Sequence, residues 1–260
     1  MKSVLIFNFD LPIIHHLWQQ EGHSAHHLWG ATELPRFGVE VDLPVYKKFG
    51  FLKRLSKRLK LLGDLDQQVR IFWKKDQYDV IYSAHHLTTS FLAFLRLVKL
   101  LDKPIVAIAH RSFKKNIFSQ LFTLLFVKGN DRIICLSEAT KNHFVEAFGI
   151  PEEKLDVLPW CIDIQYEKLR DEYIAEAPTA NPYILSSGRT ARDYETLLQA
   201  FEQIDCPLKV LGCSPDAAEQ DARTLLKQKP QLPDHVSFVD RFIPTPEAVD
   251  TILSAYAVAI

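Results

Sequence analysis

The chain has 260 residues, 47% of them hydrophobic, and a formal charge of −1 at pH 7. That length allows one large or two modest domains, and the near-neutral balance excludes a protein whose overall field recruits nucleic acid. Four cysteines (Cys135, Cys161, Cys206, Cys213) stand singly without a Cys-x-x-Cys pair, so they read as reduced structural thiols, not as a disulfide framework or a zinc site.

The first residues, Lys2-Ser3-Val4-Leu5-Ile6-Phe7, carry one charge and a short apolar run, which reads as a buried strand and not as a signal peptide. In chain order, strands are expected at residues 4–9, 39–41, 79–82, 104–109, 132–136 and 154–158. Helices are expected at residues 26–36 (ending at Gly38), 87–101, 113–128 and 139–148. The last of these is capped by Ser137 and stopped by Gly149. After a more polar stretch the alternation restarts, with strands at 183–185, 208–211, 236–239 and 257–260 and helices at 194–203, 217–228 and 246–254. Continuous apolar strands between amphipathic helices are the signature of parallel sheets covered on both faces. The expected architecture is α/β: two Rossmann-like doubly wound domains at residues 1–163 and 183–260, joined by a linker at 164–182, with the ligand in the crevice between them. The second domain reads as incomplete, because no helix follows its last strand. No apolar run reaches the ~18 residues needed to span a bilayer.

Ser186-Ser187-Gly188-Arg189-Thr190-Ala191-Arg192-Asp193 follows the apolar run Tyr183-Ile184-Leu185 and precedes an amphipathic helix. Such a loop suits a diphosphate: Gly188 lets the backbone approach an anion, the helix N-terminus offers N–H groups, and Arg189 and Arg192 supply charge and bidentate donors. On local pattern alone, a plain strand-to-helix connection with solvated arginines fits as well.

Residues 46–63 hold seven basic side chains (Lys47, Lys48, Lys53, Arg54, Lys57, Arg58, Lys60) and no acid. Phe51, Leu52, Leu55, Leu59 and Leu62 fall at helical spacing on one face. Two readings stand: a basic amphipathic helix on an anionic membrane surface, contacting it through Lys53, Arg54, Lys57 and Arg58, or a surface helix packing its apolar face on the domain. Asp64-Leu65-Asp66 imitates a metal-binding Asp-x-Asp, yet it follows a basic helix and not a buried strand, so it reads as a helix-start cap. His15, His16, His23, His26 and His27 cluster in sequence, with His23 and His27 at i, i+4, but no third ligand is clearly placed for zinc. No Gly-x-Gly-x-x-Gly follows the first strand and no Gly-Lys-Ser/Thr loop exists, which weighs against dinucleotide oxidoreductases and excludes P-loop chemistry.

Taken in order, several segments resemble the GT-B glycosyltransferases, most closely glycosyltransferase family 4. They are Leu28-Trp29-Gly30 through Val41, Tyr78-Asp79-Val80-Ile81, Val106-Ala107-Ile108-Ala109-His110, the stretch from Ile133 to Asp163 with its Gly149-Ile150-Pro151, and the Gly188-Arg189 loop. The resemblance implies transfer of a sugar from a nucleotide-sugar donor, with retention, to a glycan or lipid-linked acceptor. It implies Arg189 and Arg192 on the donor diphosphate, where two fixed cations stabilise the leaving group's charge and no metal or other cofactor is required. His110 is implied near the transferred sugar, against the plainer reading of a strand-end histidine that caps backbone or packs. His85 and His86 are weaker candidates for the acceptor cleft. A cytoplasmic protein of polysaccharide biosynthesis, peripheral on the inner membrane face and without nucleic-acid partners, follows as an expectation.

The chain departs from the family at three places. Asp10, Leu11, Pro12, His15 and His16 stand where the first loop usually carries Gly-Gly, and Trp160-Cys161 replaces a common Asn-Gly. The family's glutamate-rich donor motif would lie beyond Ile260, and without it the chain is expected to be inactive alone. Rival readings are a nucleotide-sugar epimerase of the same fold, a non-catalytic nucleotide- or glycan-binding protein, and a membrane-docking scaffold acting through residues 46–63.

Overall fold

Six short strands, built mostly from Val, Ile, Leu and Ala, form the first sheet: β1 (Lys2–Ile6), β2 (Glu40–Asp42), β3 (Val80–Ser83), β4 (Ile105–Ala109), β5 (Arg132–Cys135) and β6 (Leu155–Val157). All neighbours pair in parallel, in the order β2-β1-β3-β4-β5-β6. A second parallel sheet is ordered β10-β7-β8-β9, from β7 (Ile184–Ser187), β8 (Leu208–Leu211), β9 (Val236–Val239) and β10 (Ala257–Ala259). A computed structural model of the chain describes residues 1–20, 24–59, 62–86, 88–110, 123, 125–160, 182–188, 193–211, 232–239, 243 and 245–259. These fall into two units, Met1–Asp163 and Ile164–Ile260. The protein therefore has the two Rossmann-like sheets of a GT-B fold. The expected linker lies outside the described residues except for Pro182, as do the helices expected at 217–228 and, but for residues 123 and 125–128, at 113–128.

The central strands β1, β3 and β4 are covered on both faces, which is why they read as continuous apolar runs, whereas the edge strands β2 and β6 are partly exposed. Val4 and Ile6 pack with Ile71, Ile81, Leu92, Leu95 and Ile105 on one side. Leu5 and Phe7 pack with Leu11, Leu28 and Ala84 on the other. Helices α1 (Leu11–Gln19), α2 (Gly50–Arg58), α3 (Leu65–Trp73), α4 (Ser90–Leu97) and α5 (Glu138–Phe148) belong to this unit, α6 (Tyr194–Phe201) and α7 (Thr245–Leu253) to the second. Ser137 caps α5 by accepting the Thr140 N–H at 3.2 Å, and the helix stops at Gly149. Gly129 answers a close approach: a Cβ there would lie 2.6 Å from the Ala93 Cβ of α4.

Two expectations fail near the N-terminus. The helix expected at residues 26–36 is a pair of 3-10 turns, Ala25–Leu28 and Leu34–Phe37. Trp29 (φ 51°) and Gly30 (φ 82°) are both left-handed, and Pro35 follows, so no α-helix can run through. Conversely, the segment read as a first loop is α1, started by Pro12 in its first turn and held by Leu11, Ile14 and Trp18 against the sheet.

Helix α3 is the polar hub of the first unit. Asp64 is its N-cap, accepting the Asp66 N–H at 3.2 Å, so Asp64-Leu65-Asp66 is a helix start as read. Asp66, fully buried, accepts the Lys48 and Phe49 N–H groups at 2.9 Å each and pairs with Arg70 at 2.9 Å. The Gln67 amide donates to the Phe7 carbonyl at 2.7 Å, at the carboxyl end of β1. Gln68 Oε1 accepts the Phe91 and Leu92 N–H groups at 2.8 and 3.0 Å, satisfying the first turn of α4.

Asp131 fastens α4 to β4. The Arg96 fork donates to both its oxygens at 2.8 and 2.7 Å, and the Ile105 N–H adds a third bond at 2.8 Å. Partial burial raises the Asp131 pKa, but the Arg96 fork and the Ile105 N–H outweigh it and hold the carboxyl below its ordinary value. A carboxyl depressed in the folded state contributes stability that is complete above the unfolded value of ~4 and is lost as pH falls through the folded value. Asp131→Asn should therefore lower the thermal midpoint at about pH 7, with the gap to wild type closing as melts are repeated down to about pH 2.

Candidate active site

In a doubly wound sheet, ligands bind outside the carboxyl ends of the strands where the strand order reverses. In the first unit that point lies between β1 and β3, the strands on either side of the reversal. The residues that leave the sheet there and at β4 are Phe7, Ala84 with His85 and His86, and His110. His110 Nε2 meets the Ala84 carbonyl at 2.7 Å. A carbonyl only accepts, so Nε2 carries the proton. Burial lowers the His110 pKa and the bond to Ala84 offsets that only in part, so at neutral pH the ring is uncharged and Nδ1 is an acceptor.

The sequence-expected histidines do meet. His85 and His110 have ring centroids 4.8 Å apart, and His85 stacks on His86 at 4.8 Å. The turn that carries them is fixed by the Ser83 and Thr88 hydroxyls, which donate to the His85 carbonyl at 2.9 and 2.7 Å. His86 itself is 2% exposed and lies edge-on to Phe126 at 5.6 Å. Its ring is packed between His85 and Phe126.

Two tryptophans complete the cluster. Trp29 lies 4.8 Å from His110 and 4.9 Å from Trp160, both edge-on. Its left-handed backbone costs roughly 1–3 kcal/mol for a bulky residue. The Tyr82 hydroxyl holds it in place by donating to its carbonyl at 3.0 Å. Its buried indole N–H has no acceptor among the described residues. Trp160 is 52% exposed. The Trp29-Gly30 pair, a bulky residue before glycine in a stretch read as helix, was the available signal for this turn.

In the second unit the strand order reverses at β7, which has β8 on one side and β10 on the other. Gly188 leaves the carboxyl end of this strand with φ 148°, where a side chain would strain the backbone. Its N–H donates to the Leu211 carbonyl at 3.2 Å and its own carbonyl accepts the Tyr194 hydroxyl. Asp193 caps α6, taking the Thr196 N–H at 3.0 Å. One of the N–H groups counted on for an anion is therefore already used by the chain. Arg189 and Arg192 lie outside the described residues, between these two held ends.

The cationic candidates of α2 divide. Lys53 turns inward, donating to the Tyr46 hydroxyl at 2.7 Å and to Asp64 at 3.4 Å, so it is not available to a membrane; the pull of the buried Asp64 carboxylate explains the turn. Arg54, Lys57 and Arg58 are exposed. Of the clustered histidines, His23 lies outside the described residues and His27 sits in a 3-10 turn, Ala25–Leu28. Among the described residues no three His, Cys, Asp or Glu side chains are grouped to hold a metal ion, and no helix is long and apolar enough to cross a membrane.

The sequence model of Glycosyltransferase Family 4 matches residues 14–166. A search of curated protein sequences finds no match. Among solved structures, Anabaena Alr3699/HepE in complex with UDP and glucose is similar at 18% identity, covering 99% of this chain and 73% of that one, with a TM-score of 0.58. The UDP-N-acetylglucosamine 2-epimerase from Rickettsia bellii is similar at 10% identity, over 99% and 72%, with a TM-score of 0.52. The UDP-GlcNAc 2-epimerase from Neisseria meningitidis bound to UDP-GlcNAc is similar at 10%, over 99% and 76%, with a TM-score of 0.51. At these identities the likeness is one of fold.

Proposed function

The chain belongs to glycosyltransferase family 4, and from that premise we propose that it moves a hexosyl group from a nucleotide-sugar donor to a glycan or lipid-linked acceptor. Transfer proceeds with retention at the anomeric carbon and without a metal ion. The observation that carries this reading is Gly188, a glycine in a backbone conformation that a side chain would strain, at the carboxyl end of the strand where the second sheet reverses its order. Arg189 and Arg192, the next cations in sequence, hold the diphosphate and stabilise the charge that builds on it as the glycosidic bond breaks. His110, neutral and with Nδ1 as an acceptor, takes a hydroxyl proton of the transferred sugar in a hydrogen bond. His85, stacked above the buried His86, faces the acceptor. The enzyme works in the cytoplasm, at the inner face of the membrane.

The Anabaena and Neisseria structures hold UDP and UDP-GlcNAc, so uridine diphosphate sugars are the first donors to try. The test is incubation of the complete protein, with any donor motif beyond Ile260 included, with a panel of these donors and glycan acceptors, the product's anomeric configuration being read by NMR and a parallel reaction run in chelator. Transfer with the donor's configuration, unchanged by chelator, is expected. Inversion would overturn retention, and loss of transfer in chelator would overturn metal independence. Turnover of the donor with no acceptor present would replace transfer by epimerisation, and tight binding without any turnover would leave a non-catalytic binding protein.

A further inference from the structure

Helix α2 buries Leu52 but leaves its other large apolar residues exposed. Only Leu52 and Ser56 are buried; the Ser56 hydroxyl donates to the Leu52 carbonyl and accepts the Leu65 N–H, both at 2.9 Å, closing the seam with α3. A row flanking that seam, at three- and four-residue spacing, reads Phe51, Arg54, Leu55, Arg58 and Leu59, and every member is exposed. Phe51 is 68% exposed, Leu55 41% and Leu59 43%. Lys47, Lys48 and Lys57, also exposed, flank the row. Of the stripe expected to pack on the domain, Leu52 does so and Leu62 is half-buried, while Phe51, Leu55 and Leu59 stay exposed among the described residues.

Charge is segregated in the same way. The acids that follow the helix in sequence, Asp64 and Asp66, are buried and bonded to Lys53, Arg70 and backbone N–H groups. Residues 43–63 contain no acid at all. An ordinary solvated helix face mixes signs and gains from i, i+4 pairs; this one carries cations alone, interleaved with bulky apolar groups. Isolated exposed apolar residues need no explanation, but three in one row between arginines form the amphiphile of an interfacial helix.

We propose that the outward face of α2 docks on an anionic lipid bilayer. Phe51, Leu55 and Leu59 enter the headgroup region, and Arg54, Arg58, Lys57, Lys47 and Lys48 meet lipid phosphates. A polyanion in water, such as nucleic acid, would use the cations and leave Leu55 and Leu59 without a partner, which is why lipid is the occupant the face fits. The docked helix is tied to the candidate site through α3, whose Gln67 holds the Phe7 carbonyl at the end of β1. Lipid docking extends the membrane-face location proposed above, but it does not depend on sugar transfer.

The experiment is co-sedimentation of the chain with phosphatidylcholine vesicles and with vesicles in which about a third of the lipid is phosphatidylglycerol. Binding is expected only to the anionic vesicles. Two double variants, Phe51→Ala with Leu55→Ala and Arg54→Glu with Arg58→Glu, should each lower the bound-to-free ratio by at least about tenfold. Both alter exposed side chains, so an unchanged thermal midpoint verifies that the fold is intact. Equal sedimentation with both vesicle types would overturn the proposal, as would wild-type binding by both variants or binding to DNA or an acidic polypeptide in place of vesicles. Nucleotide binding by the same variants should be unchanged, so failure here and failure of the transferase reading can be told apart.

Discussion

Asp66→Ala is expected to destabilise the first unit by about 3–5 kcal/mol, because it removes one partner of a buried ion pair. Against a total stability of about 5–15 kcal/mol for a typical domain, that is a large fraction. Asp66 is fully buried and its two oxygens serve three donors: Arg70, the Lys48 N–H and the Phe49 N–H. Alanine would leave the guanidinium without its counter-charge and two amides without acceptors at the entrance to α2. Asp66→Asn keeps oxygen for one amide but loses the charge, so its cost should fall between wild type and alanine. Arg70→Leu placed on Asp66→Ala should recover part of the loss, since the uncompensated cation is gone. Chemical denaturation of wild type, Asp66→Ala, Arg70→Leu and the double variant measures this coupling. Additive costs would mean that the pair is not coupled as its geometry indicates.

Loss of both arginines of the Gly188 loop should weaken UDP binding by at least about 100-fold, each charge-assisted bond contributing about 1.5–3 kcal/mol. The two ends of the loop are held: Gly188 by Leu211 and Tyr194, and Asp193 by its cap on Thr196. Arg189→Ala and Arg192→Ala should each account for part of the loss, with melting temperatures unchanged. Tyr194→Phe, which removes only the hydroxyl that clasps the Gly188 carbonyl, should weaken binding less. Calorimetry on the single and double variants is the measurement. Unchanged affinity in both single variants would remove the diphosphate from this loop.

Much of the fold was legible because parallel strands covered on both faces are apolar at every position, as in Ile105–Ala109. Helix ends with side-chain caps were legible too, as at Ser137 and Gly149. The start of helix α3 was legible in its Asp64 cap, but its extent was not, because its buried face is polar: Asp66, Gln67 and Gln68 break the apolar period while bonding to three different elements. Helix α1 was hidden by Pro12 and two histidines, which read as loop although proline suits a first turn. Periodicity found the apolar stripe of α2 but not how it divides, with Leu52 in the seam with α3 and Phe51, Leu55 and Leu59 exposed. That was decided by Ser56 and Leu52, a small and a medium residue that fit the seam with α3. At the candidate site, strand ends gave His85 and His110 from sequence. Trp29 required the backbone itself, because its left-handed turn has no strong single-residue signature.

The most direct measurement of the proposed chemistry is calorimetric titration of the wild-type chain with nucleoside diphosphates and monophosphates in pairs, UDP with UMP and GDP with GMP. One diphosphate is expected to bind at least about tenfold more tightly than its monophosphate, and the gap should vanish when Arg189 and Arg192 are both alanine. Equal affinity within every pair, or a gap that survives loss of both arginines, would contradict a donor diphosphate site at the Gly188 loop.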